Sequence, residues 1–294
     1  FLAGELDWFG GQKSGLLTDS QIQQLKSTMA EGSYTEYFYS SGSPSGIGLN
    51  CSVEPFNDIN VRLAMQHAIN VEEIWTEYFG EETELVIPGL WSADMGDWAL
   101  VGNMSDELLE EYTYDPDLAK QLLADAGYPD GFTTTFVCPT SGSGNMFPQI
   151  MNEYIQKCAE EVGIHIELDM SESERVWDVM KVGFKDEYAD VGALNTSFYT
   201  MFPNVFQKFA GTGGSFNTGK YSNPEYDACI EAAYAATDEA ESTRQFIEAE
   251  KIFTEELPWV IVCNDRNLRV LAPNVQNFAQ SQTWYVDLTT VTVE

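Results

Sequence analysis

The stretch GTGGSFNTGK, residues 211–220, carries glycine and lysine at a spacing that phosphate-binding loops use. Counted from Gly214, the pattern G-x-x-x-x-G-K is met by Gly214, Gly219 and Lys220. In a loop that cradles nucleotide phosphates the next residue is Ser or Thr, whose hydroxyl holds the magnesium ion. Here the next residue is Tyr221. The motif also needs a strand before it and a helix opening directly out of it. Phe202, Pro203, Asn204, Val205 and Phe206 precede it instead, and YSNPEYD follows. A Gly/Ser/Asn surface loop is the expectation.

Other chemistries find no better footing. The serine elbow G-x-S-x-G is absent, and its nearest stretch, GSPSG at residues 42–46, puts Pro44 in the nucleophile position. His67 falls in a helical pattern and His165 in a strand pattern, neither with a neighbour at metal-ligand spacing. Both are expected to be ordinary structural residues. The chain offers so many carboxylates that no pair stands out as a glycosidase would require. DMGDW and SDELLEEYTYDPD lack the alternating spacing and central glycine of a calcium loop. No catalytic residue, metal or cofactor is expected.

What does stand out is aromatic residues in loops. Trp91 and Trp98 occupy PGLWSADMGDW, and NTSFYTMFPN places Phe198, Tyr199, Met201 and Phe202 just after an apolar strand. In open α/β sheets, ligands sit outside the carboxyl ends of the strands. Aromatic and amide groups there suit a small ligand with apolar and hydrogen-bonding parts. The expected ligand contacts are Trp91, Trp98, Thr140, Asn195, Ser197, Phe198, Tyr199 and Met201, with Asn217 of the glycine-rich loop.

The elements that would position them alternate. In NDINVRLAMQHAIN, Val61, Ala64, Met65, Ala68 and Ile69 share one helical face, and Asn70 with Glu73 forms a capping box for the next helix. YDPDLAKQLLADAGYP gives a helix capped by Asp115, with Pro116 in its first turn and Leu118, Leu122 and Ala126 along one side. FTTTFVC, IHIELDM, YADVGALN and WVIVCN read as strands. Between them fall a helix with Met151, Ile155, Cys158 and Val162 on one face, one capped by Ser171 and Glu174, and two opened by Asn223 and Asp238. This alternation argues for an α/β fold. The first 55 residues differ: a helix at residues 20–30, then a Gly/Ser/Pro-rich loop, YFYSSGSPSGIGLN, running into a short strand. The tail after Cys263 is extended, so a central unit inserted between two outer segments is expected.

Composition narrows the partners. The 294 residues carry 14 Lys and Arg against 47 Asp and Glu, a net charge of −33. Such a field repels phosphate backbones and anionic lipid surfaces, which argues against nucleic-acid and membrane-surface roles. Five widely spaced cysteines without C-x-x-C fit neither a zinc site nor a disulfide scaffold. No apolar run reaches transmembrane length, and no signal-peptide pattern is present.

Several ordered motifs resemble the family 5 extracellular solute-binding proteins of ABC importers, the peptide/nickel class. AGELDW at residues 3–8, PFNDINVRLAMQHAINVEEI, YDPDLAKQLLADAGYPDGF, YSNPEYD and ELPWVIV are each similar to a family signature, and they occur in the family's order. The resemblance implies a periplasmic-binding-protein-like fold in which two lobes clamp a ligand. Residues 56–262 would be the second lobe. Residues 1–55 and 263–294 would be hinge strands and remaining pieces of the first. It also implies a longer full-length chain, weak ligand binding by this piece alone, delivery of a peptide or other small solute to an ABC permease, and a monomer. The place implied is extracytoplasmic, in the periplasm or as a cell-surface lipoprotein. A ligand sensor of the same fold and, less so, an acid-pair hydrolase are the alternatives. One departure bears on specificity: family members that grip a peptide amino terminus often carry an acidic residue after the strand, whereas residues 195–203, NTSFYTMFP, carry none. A free amine would find no partner there, so a ligand neutral at that end, or one whose amine is held elsewhere, is expected.

Overall fold

The structure, a computed structural model, describes residues 1–10, 19–74, 112–140, 148–184, 188–189, 191–197, 204–279 and 288–294. Its main element is a six-stranded mixed sheet in the order β1-β6-β2-β5-β3-β4. The strands are β1 (Trp8–Phe9), β2 (Thr35–Leu49), β3 (Phe132–Pro139), β4 (Ile164–Ser171), β5 (Val191–Ser197) and β6 (Trp259–Leu271). The helices are α1 (Asp19–Thr28), α2 (Ile59–Ala68), α3 (Pro116–Asp125), α4 (Pro148–Glu161), α5 (Ser173–Val182), α6 (Asn204–Phe209), α7 (Pro224–Ala235) and α8 (Glu239–Glu256). A short pair, β7 (Val275–Gln276) with β8 (Thr292–Val293), stands apart.

Strand β3 runs parallel to both β4 and β5, while β2 is antiparallel to β5 and β6. The step from β3 to β4 moves toward the sheet edge, and the step from β4 to β5 crosses back over β3. Because parallel crossovers are right-handed, reversing the direction of travel sends the second helix to the other face. The cores show that division. Phe136, Cys138 and Ala193 pack with Met151, Ile155 and Ala159 of α4, whereas Val137 and Leu194 pack with Val176, Val179 and Met180 of α5. Strand β6 divides in the same way: Val260 and Val262 join the α4 side, and Trp259 and Ile261 join a third core with Phe206, Tyr226, Phe246 and Phe253 from α6, α7 and α8.

Three expectations are corrected. The Gly/Ser/Pro-rich stretch before Asn50 belongs to one 15-residue strand, β2, which pairs with β6 from Thr35 to Gly48. Register shifts between Ser40 and Pro44 and between Ser45 and Gly46 accommodate the proline, which has no N–H for the ladder. In α3 the buried stripe is Ala119 and Leu123, backed by Leu122 and Ala126, while Leu118 is 39% exposed. Ser171 ends β4 and its hydroxyl donates to Asp169 at 2.8 Å, leaving Glu172 at the N-cap of α5 without a side-chain cap. The α2 stripe and the Asn70–Glu73 box are found as expected, with Glu73 N donating to Asn70 Oδ1 at 3.1 Å.

Candidate functional site

Strands β3 and β5 are parallel neighbours whose following helices, α4 and α6, lie on opposite faces of the sheet. The chain therefore parts at their carboxyl ends, which is where open α/β sheets receive ligands. Beyond β5, the antiparallel strand β2 carries the sheet on toward β6 and β1. The parting thus faces the segment of β2 that holds both register shifts.

Of the expected contacts, Thr140, Asn195 and Ser197 come together here. Thr140 follows the last residue of β3; it is exposed, and its N–H donates to Ser171 O at 3.0 Å, tying it to the end of β4. Asn195 is fully buried in β5 opposite Ile47 of β2. Strand alternation puts its side chain on the α4 side with Ala193. There its Nδ2 donates to Oδ1 of Asn152, a residue of α4 that is itself 2% exposed. Ser197 closes β5 opposite Ser45. On the β4 side the rim is charged but balanced: Arg175 pairs with Asp169 at 2.8 Å and stands 5.8 Å from the Tyr188 ring. Trp91, Trp98, Phe198, Tyr199 and Met201 lie outside the described residues.

The structure places Asn217 elsewhere. Its amide donates to Gly211 O at 2.9 Å and Tyr221 O at 2.7 Å, and its oxygen accepts from Tyr221 N at 3.0 Å. Those three bonds hold residues 211–221 in a closed loop ahead of α7. The glycines serve the same loop: a side chain on Gly211 or Gly214 would run into backbone oxygens of Gln207 and Lys208. Lys220 sends Nζ to Phe184 O at 3.1 Å, so the lysine braces the loop against the end of α5. His67 is buried with Nδ1 2.8 Å from Thr113 O, and exposed His165 pairs with Glu160 at 2.7 Å. Among the described residues no group of three or more His, Cys, Asp or Glu could hold a metal ion, and no helix is long and apolar enough to cross a membrane.

Asn152 escapes sequence reasoning. It sits one position off the apolar stripe of α4, where a polar residue normally meets solvent. Its burial depends on Asn195, 43 residues further along the chain.

The family model for bacterial extracellular solute-binding proteins, family 5 (middle), matches residues 1–223. The chain is 28% identical over 247 residues to heme-binding protein A of Haemophilus influenzae, covering 81% of this chain and 42% of that protein. It is 27% identical over 246 residues to the glutathione-binding protein GsiB of Escherichia coli K12, covering 79% and 44%. The chain thus spans less than half the length of these relatives. Among solved structures, a putative peptide-binding protein AppA from Clostridium difficile superposes with a TM-score of 0.78 at 19% identity, over 99% of this chain and 57% of that one. The periplasmic binding protein DppA from Helicobacter pylori, in complex with the peptide STSA, does so with 0.76 at 19%, over 99% and 53%.

Proposed function

Because the chain belongs to the bacterial extracellular solute-binding proteins of family 5, we propose that it is part of the substrate-binding component of an ABC importer. In this reading it captures a peptide or comparable small solute outside the cytoplasmic membrane and delivers it to membrane permease subunits. It acts by binding, without catalysis, as a monomer in the periplasm or as a cell-surface lipoprotein. Residues 56–262 form the ligand-binding lobe; residues 1–55 and 263–294 supply the hinge strands and part of the facing lobe.

The observation that carries this reading is the parting at the carboxyl ends of β3 and β5. Thr140, Asn195 and Ser197 gather there beside two continuous strands that lead away into the rest of the sheet. We assign ligand contact to these three, together with Trp91, Trp98, Phe198, Tyr199 and Met201. With no carboxylate in residues 195–203, the part of the ligand facing β5 is neutral: a blocked peptide end, an amide or a sugar hydroxyl.

Native mass spectrometry of the protein expressed from its complete gene and purified gently tests the reading. The expected result is a retained small-molecule adduct, as a ladder of masses for mixed peptides or one mass for a defined solute. Absence of any adduct, with no thermal shift on adding a mixed peptide pool, would overturn it. The 294-residue chain alone is expected to bind the same ligand far more weakly, because half of the clamp is then absent; equal affinity in calorimetry would contradict the two-lobe assignment.

A further inference from the structure

The bond between Asn195 and Asn152 consumes the acceptor of Asn152 and leaves its donor idle. Nδ2 of Asn152 is shielded from solvent and has no hydrogen-bond partner among the described residues. A buried donor in that condition is destabilising, and native proteins rarely keep one without a use. Asn195 accounts for the oxygen of Asn152, since it needs an acceptor there, but nothing among the described residues accounts for the donor.

Position supplies a use. Asn152 lies early in α4, the helix reached from the carboxyl end of β3, and Asn195 lies two residues before the end of the neighbouring β5. Both residues therefore belong to the floor of the parting described above. Asn195 also fixes the orientation: by donating to Oδ1 it turns Nδ2, not the oxygen, away from β5. An ammonium arriving at Nδ2 would therefore meet a donor rather than an acceptor.

We propose that Asn152 is a specificity-determining residue of this crevice and Asn195 its positioning partner. The Asn152 N–H donates to a neutral acceptor oxygen of the ligand, a carbonyl or amide oxygen, and disfavours a free amine at that end. The inference rests on the crevice being the ligand site.

The test compares two probes on the complete gene product: a pool of tripeptides with free amino termini, and the same pool N-acetylated. Calorimetry gives each affinity. The wild type is expected to favour the acetylated pool by about tenfold or more. Asn152→Asp, which replaces the donor by a charged acceptor, is expected to reverse that ratio. Asn152→Leu is expected to lose the preference without gaining amine binding; because it also removes the acceptor of the buried Asn195 Nδ2, a modest fall in Tm accompanies it. A ratio unchanged in Asn152→Asp overturns the inference and leaves the crevice reading standing. If Asn152→Asp does not fold, Asn152→Leu decides, and a retained preference there overturns the inference. A wild type that binds neither pool overturns both.

Discussion

At the β5–β3–β4 end of the sheet both faces are closed. Phe136 and Ala193 lie under α4, Val137 and Leu194 under α5, and each of these residues is at most 1% exposed. At the β1–β6 end the finish is different. Among the described residues the buried cluster is Ile22, Leu25 and Val270, while Leu2 and Leu6 stand 44% and 52% exposed. A cavity of about 270 Å³ opens between the chain start and α1, lined by Phe1, Leu2, Phe9 and Leu25. That end relies on another kind of contact: the buried Arg269 guanidinium lies 5.1 Å from the Trp8 ring and 5.9 Å from Phe278, which also packs against Tyr37. Strands of one sheet can thus belong to regions of unequal stability, because the helices that cover a strand, not its pairing alone, remove apolar surface from water.

Phe136→Ala gives the largest test. Removing a ring that is 1% exposed should cost about 3–5 kcal/mol in denaturant unfolding. Hydrogen exchange should then accelerate across β3, β4 and β5 together. If only a few residues around position 136 respond, the closed end is not one cooperative unit.

The junction between the regions offers a second test, through pH. Cys51 follows β2 where the chain enters the closed end, packed against the α4-side core and the α6–α8 core. Burial pushes its thiol from the ordinary 9.0 up to about 11. Between those values the unfolded thiol ionises while the folded one keeps its proton, so stability falls as pH rises; below about 9 this group adds no slope. The loss is at most about 1.4 kcal/mol per pH unit. Cys51→Ala should flatten the curve in that window, as read by urea unfolding from pH 8 to 11, and an unchanged slope would place the alkaline sensitivity on other groups.

Leu25→Ala turns to the open end. The side chain is 3% exposed, yet its cluster is small, so the expected cost is about 2 kcal/mol and local. Exchange should quicken in α1 and β1 while β3 and β5 keep their protection. Equal loss at both ends would show that the sheet unfolds as one piece.

These differences bound what the sequence alone could reveal. Stripes such as Val61, Ala64, Met65 and Ala68 are legible because helix period and burial coincide in one segment. The course of β2 through Pro44 is not, since its strand character comes from β6, more than 200 residues away. The crevice is legible as a place, through the alternation of strands and helices, and Asn195 is legible as a residue on its strand. Its partner Asn152 is not, and Asn217 reads as a ligand contact although its polar atoms serve its own loop. Polar side chains are the hard cases because the same amide can face solvent, a ligand or a neighbouring backbone, and only the tertiary fold decides.

Gln66 carries that point to the smallest expected effect. It is fully buried on α2, in the closed end, and neither Nε2 nor Oε1 has a hydrogen-bond partner among the described residues. Replacing a buried, unsatisfied amide by an apolar chain of similar volume removes a desolvation cost and leaves nothing unpaired. Gln66→Met is therefore expected to raise stability by about 1 kcal/mol, read as a higher denaturant midpoint with an unchanged slope. A loss of similar size would mean that the amide holds a partner in the folded protein in solution. The closed end would then hold a further satisfied polar group besides the Asn195–Asn152 pair, and the contrast with the open end would rest on how polar groups are satisfied as much as on how apolar ones are covered.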